Sequence, residues 1–208
     1  MKMVFFITIP SLVGLIVLRE PIVALLFKRG AFDSETTRLT AYALLYYSIG
    51  LWAFSAVRIV VSTFYALQDT KTPVRMAMVS VCANIILGVI LMGPMGHAGL
   101  ALSTSIASML NLGLLVWALR TKLGALGLKS IAQSACKTIV CSGIMGAVVW
   151  TTAVLIIPAE DGTSSGLFFG LMGSILTGLV LYGSFSLLLK STELKNVLVL
   201  AGKGKDKK

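Results

Sequence analysis

A chain of 208 residues that is 57% hydrophobic and only 12% charged is not a water-soluble globular domain, where about a quarter of residues carry charge. The composition is that of an integral membrane protein. The net charge of +10 does not indicate nucleic acid, because Lys and Arg sit in short clusters between apolar runs and in the tail GKGKDKK, with no aromatics interleaved among arginines.

The first apolar run covers residues 3–18 and contains Pro10. With Lys2 ahead of it, it resembles a signal peptide. No small-residue cleavage site follows, however, and further apolar runs come after it, so it reads as a membrane span. The stretch PIVALLFKRGAFDSET is too short to cross. It predicts an interfacial helix over about residues 21–28, stopped by Gly30, with Asp33 or Ser34 capping the helix that follows.

The second apolar run, 39–67, would be about 43 Å long as a helix, which exceeds a hydrocarbon core of ~30 Å. It must protrude, tilt or kink. Runs 73–92, 98–119, 138–157 and 166–189 each suit one helical crossing. Lipid offers no partner for backbone groups, so these spans are expected to be helices. Loops are expected at GPMGHAG and PAEDGTSS. The predicted fold class is all-α: a polytopic membrane helix bundle with six transmembrane helices.

Six crossings put both ends on one side. Thirteen of the 18 Lys and Arg residues fall on that side, among them Lys71, Arg75, Arg120, Lys122 and the tail lysines. Arg19, Lys28, Arg29 and Arg38 fall opposite. This bias predicts cytoplasmic termini and a basic tail beside anionic membrane lipids. The segment QDTKTP is then a cytoplasmic hairpin between the second and third spans. Asp69 or Thr70 can bond free backbone groups at the turn, Thr72 and Pro73 can start the next helix, and Lys71 with Arg75 holds that end in the cytoplasm.

Arg58 lies inside the second span, nine residues before Leu67, or roughly 13 Å from the span's cytoplasmic end. A charge near mid-bilayer costs at least ~2.5–3.5 kcal/mol, and it needs a polar cavity or a partner. No acid lies within the spans. Arg58 therefore either lines a water-filled cavity for an anionic substrate or bonds backbone carbonyls and hydroxyls such as those of Ser55 or Ser62.

Ser80, Asn84 and Gly88 form one stripe on the third span; Gly99, Ser103, Ala107 and Asn111 form another on the fourth. Both read as close helix packing, with Asn84 and Asn111 the alternative candidates for lining a polar cavity. Gly166 and Gly170 form a GxxxG on the sixth span, expected to pack against the fifth through Gly143 and Gly146. Cys82, Cys136 and Cys141 have neither zinc nor thioredoxin spacing and read as small hydrophobes. His97 stands alone. No paired carboxylates, Ser/His/Asp set, phosphate loop or metal cluster appears, so neither an enzyme nor a cofactor is expected.

The string FYALQDTKTPV, with REPIVALLFKRGAFD before it and GPMGHAGLALSTSIASMLNL after it, resembles the MurJ (MviN) family of lipid II flippases, relatives of MATE- and Wzx-type exporters. The motifs run from about residue 7 to 119; beyond that the likeness rests on hydropathy and order. The resemblance implies the C-terminal part of a fourteen-helix, MATE-like transporter of the bacterial inner membrane. On that reading residues 1–119 hold four helices of the second lobe, with the cytoplasmic turn at 68–73. Residues 120–132 form a cytoplasmic linker, 133–189 two extra C-terminal helices and 190–208 the tail. It also implies a lipid II or similar polyprenyl-pyrophosphate saccharide as cargo, moved by alternating access, with Arg58 a cavity cation and the last two helices a groove for the lipid tail. On that reading the N-terminal lobe and the first two helices of the second lobe are missing, and the chain is either a truncated or split gene product or must join the missing half. An exporter of another polyprenyl-linked saccharide or of a drug, and a non-transporting membrane fragment, are the alternatives.

Overall fold

The computed structural model describes residues 2–27, 33–124, 128–156 and 164–188. These form seven α-helices and, among the described residues, no strand. In chain order they are α1 (Lys2–Val17), α2 (Arg19–Phe27), α3 (Ser34–Ala66), α4 (Lys71–Met95), α5 (His97–Leu123), α6 (Leu128–Ile156) and α7 (Ser164–Leu188). Helices α3 to α7 are each long and apolar enough to cross a bilayer. Helices α1 and α2 meet at Leu18 with a bend of 71° and make a sixth span if counted together. The all-helical, five-to-six-span architecture thus agrees with the composition.

Two apolar clusters organise the bundle. In the first, Ala53, Ala56, Val60 and Phe64 of α3 meet Leu112, Leu115 and Leu119 of α5. In the second, Phe6 of α1 packs with Cys141, Met145 and Val149 of α6 and with Leu171 and Tyr182 of α7. Helix α1 joins the two, because Phe5 contacts Trp52 of α3 with ring centroids 6.2 Å apart. Helix α4 packs mainly on α5, and most of its surface is open.

Small residues set the closest approaches. A Cβ on Gly50 of α3 would lie 2.6 Å from Ser105 Oγ and 2.9 Å from Ser105 Cα. That proximity lets Ser105 Oγ donate to the Tyr46 carbonyl at 2.6 Å, a bond between helices of the kind that holds membrane bundles together. A Cβ on Gly99 would run into the Leu91 carbonyl, so the α4–α5 hairpin closes only around glycine.

Helix ends follow the sequence closely. Asp33 is the N-cap of α3, and its Oδ1 accepts from Thr36 N at 2.9 Å. This bond holds the Asp33 carboxyl below its usual range. The expected stop at Gly30, the PAEDGTSS loop over most of its length and the tail lie outside the described residues.

Two expectations are corrected. GPMGHAG is not a loop: α4 continues through Pro94 to Met95, and only Gly96, at φ 56°, separates it from α5. Within residues 120–132, α5 reaches Leu123 and α6 starts at Leu128. A Cβ on Gly143 would meet nothing from another helix within 4 Å, and one on Gly146 would meet Val13 of α1 at 2.5 Å rather than α7. Among the described residues, α6 and α7 approach closely at Gly178, where a Cβ would lie 2.8 Å from Val149 Cγ2. Glycine spacing marks a close approach but not its partner.

Candidate functional site

The side of α3 facing away from α5 is uncovered. Tyr47, Phe54, Arg58, Ser62 and Tyr65 recur at helical spacing along it, and all are exposed. Arg58 sits eight residues before the helix end at Ala66, about 12 Å along the axis. Among the described residues it makes no hydrogen bond or ion pair. The self-satisfied arrangement is not the one found: Ser62 Oγ donates to the Ile59 carbonyl at 2.8 Å. An unpaired guanidinium at this depth requires water, an anion or another protein surface against it.

The QDTKTP turn is tightly bonded. Asp69 N donates to the Phe64 carbonyl and Gln68 N to the Tyr65 carbonyl, both at 3.0 Å. This is a Schellman closure of α3 with Gln68, at φ 57°, in the left-handed position glycine usually fills. Asp69 Oδ1 accepts from Thr72 N at 3.1 Å and so caps the start of α4. Thr70, the formal N-cap, makes no side-chain cap bond. Pro73 is buried in the first turn, whereas Lys71 stays exposed. The other Asp69 oxygen, Oδ2, pairs with Lys122 Nζ from the last turn of α5. The same ammonium lies 5.9 Å from the Phe64 ring centroid. The Lys122 bond, then those from Thr72, hold the Asp69 carboxyl well below the usual carboxylate range. One residue thus ties the ends of three helices, its backbone N–H closing α3 and its carboxylate holding α4 and α5. The sequence reading missed Lys122, since nothing in the chain marks a pairing across 53 positions.

Asn84 and Asn111 lie elsewhere. Both are half-buried on helices of the α4–α5 hairpin, and the Oδ1 atom of each is buried without a hydrogen-bond partner. Asn84 lines a shallow cleft of about 320 Å³ with Gly88, Met92, Leu100, Ser103 and Thr104. Arg58 does not line it, so the structure does not bring the three predicted residues into one site. A second cavity, about 370 Å³ and almost wholly apolar, is walled by Phe6, Pro10 and Leu18 of the first span, Ile22 of α2, Val149 of α6 and Gly178 of α7. Among the described residues no cluster of His, Cys, Asp and Glu suits a metal.

The family profile for Lipid II flippase MurJ matches residues 1–160. This chain belongs to the MurJ lipid II flippase family. A probable lipid II flippase MurJ of Vibrio cholerae is 40% identical over 114 residues, covering 55% of this chain and 22% of the relative. One of Thermotoga maritima is 34% identical over 196 residues, covering 93% of this chain and 37% of the relative. The chain therefore spans well under half the length of these relatives. A solved structure, lipid II flippase MurJ in an inward closed conformation, superposes with a TM-score of 0.70 at 29% identity over 89% of this chain and 37% of that one. The likeness to the family thus extends beyond residue 119, through the helices that hydropathy alone had tied to it. Membership in a family of membrane transporters makes this a multi-pass membrane protein.

Proposed function

We propose that this chain supplies part of a flippase that moves lipid-linked peptidoglycan precursor across the bacterial inner membrane by alternating access. The rest of the transporter, of the kind its longer relatives carry, faces the open side of α3 and encloses the passage. Two lobes rocking about a central site need such an opposing wall. Arg58 is the cation on that passage and binds the pyrophosphate of the cargo as it crosses; the apolar groove of α1, α6 and α7 shelters the isoprenoid tail. Asn84 and Asn111 offer buried acceptor oxygens to cargo hydroxyls or to an opposing helix. Both termini and the QDTKTP turn lie in the cytoplasm, as the Lys and Arg bias requires.

The observation that carries this reading is an unpaired arginine on an uncovered helix face, at a depth where lipid cannot accept it. Replacing Arg58 with Ala in the full-length transporter tests it. Rescue of a flippase-depleted strain should fall at least tenfold, the effect of losing about 1.4 kcal/mol of charge-assisted binding. Full rescue removes Arg58 from the mechanism.

A further inference from the structure

Pro10 lies in the middle of α1. Proline has no backbone N–H, so the carbonyl four residues earlier loses its intrahelical donor. That carbonyl belongs to Phe6. In a membrane span an orphaned carbonyl must find another partner, because lipid supplies none. The structure provides one from the far end of the chain: Tyr182 Oη of α7 donates to the Phe6 carbonyl at 2.7 Å, in a buried setting. The two rings also pack, with centroids 5.2 Å apart. Phe6, Pro10 and Tyr182 all line the apolar groove, and Gly178, one turn before Tyr182, lets α7 come close to α6 beneath it.

We infer that Tyr182 is a positioning residue for the groove: its hydroxyl pins the proline-relaxed segment of α1 to α7 and thereby fixes the spacing of the groove walls for an apolar chain. Pro10 loosens α1 at this point, and a hydrogen bond between residues 176 positions apart ties the loosened carbonyl to α7, while packing on α3 and α6 holds the rest of the helix. The inference rests on the groove being a chain-binding site, as proposed above. The pin itself follows from the unpaired carbonyl.

The test is a double-mutant cycle on the whole chain in detergent, using Tyr182→Phe and Pro10→Ala. Thermal unfolding is one readout. The other is binding of farnesol, an isoprenoid alcohol without phosphate. Tyr182→Phe keeps the ring and removes only the donor. It should lower the melting temperature and weaken farnesol binding about three- to tenfold, the range for the net loss of one hydrogen bond. Pro10→Ala restores an N–H to the Phe6 carbonyl, so adding Tyr182→Phe to it should change neither quantity by more than about twofold. Equal losses from Tyr182→Phe in the native chain and in the Pro10→Ala variant overturn the pin. If Tyr182→Phe alone does not fold, the double variant must fold, and its failure overturns the pin as well. A melting cycle that shows coupling while farnesol binding does not change contradicts the role in shaping the groove. A native chain that binds no farnesol overturns the groove reading instead, and the melting cycle still decides the pin.

Discussion

Gln68 occupies the left-handed backbone region at φ 57°, where a Cβ crowds its own chain by about 1 kcal/mol or more. Replacing it with Gly removes that strain while leaving the Schellman bonds in place. The variant should unfold at a higher temperature by roughly 1 kcal/mol of stability, less what Gly gains in the unfolded chain. A lower melting temperature would show that the Gln68 side chain has a role in the turn. The adjoining Asp69 carries two contacts with one carboxyl, and its pH behaviour follows. Its folded-state pKa is depressed below the ordinary 3.8. The stability it contributes is therefore complete above that value and is lost as the pH falls through the lower folded value. Asp69→Asn keeps an acceptor for Thr72 N but not the pairing with Lys122. Its melting temperature should lie below that of the native chain at pH 7, and the difference should shrink at strongly acidic pH. A constant difference would mean that the ion pair contributes nothing.

At the scale of helices, the closest contacts between α3 and α5 and between α4 and α5 are approaches at glycine, beside the apolar clusters that fill the bundle. Gly50 is the clearest. A methyl group there meets Ser105 at both Cα and Oγ, so α3 and α5 must separate or Ser105 must release the Tyr46 carbonyl. Gly50→Ala should cost ~1–3 kcal/mol; a melting temperature within error of the native chain would contradict the packing. What the sequence revealed divides along the same line. Each spanning helix was legible, because a long apolar run admits one backbone solution in lipid. The Asp33 cap and the turn at Asp69 were legible from residue type. The rotations of the helices were not. In spans apolar on nearly every face, periodicity does not say which side meets which neighbour. Gly146 therefore meets α1 where α7 was expected, Lys122 finds Asp69, and Tyr182 finds Phe6. The last had a signal in the chain, since Pro10 announces that the Phe6 carbonyl needs an outside donor. Pro94 misled in the opposite direction: next to Gly96 it suggested a loop, yet a proline near a helix end is accommodated, and the chain turns at glycine alone.

For the molecule as a whole, the helices form two clusters joined by α1, and they leave one polar and aromatic face of α3 without a cover. A face carrying Arg58, with Ser62 one turn nearer the helix end, is unsuited to lipid, while the outer faces of α4 and α7, with Val89, Ile90, Leu176 and Leu179 exposed, suit lipid well. On the proposed reading, residues of the chain separate into those that meet hydrocarbon and those that meet a passage. The separation predicts reactivity. In the full-length transporter, with every native cysteine replaced by Ala, Ser62→Cys and Val89→Cys would be treated with a membrane-impermeant maleimide in inside-out membrane vesicles, which present the cytoplasmic face to the reagent. Lys71→Cys would serve as the exposed control. The thiol at position 62 should react, added lipid-linked precursor should protect it, and the thiol at position 89 should not react. Silence at position 62 while position 71 labels freely would contradict the passage along α3, and with it the role given to Arg58.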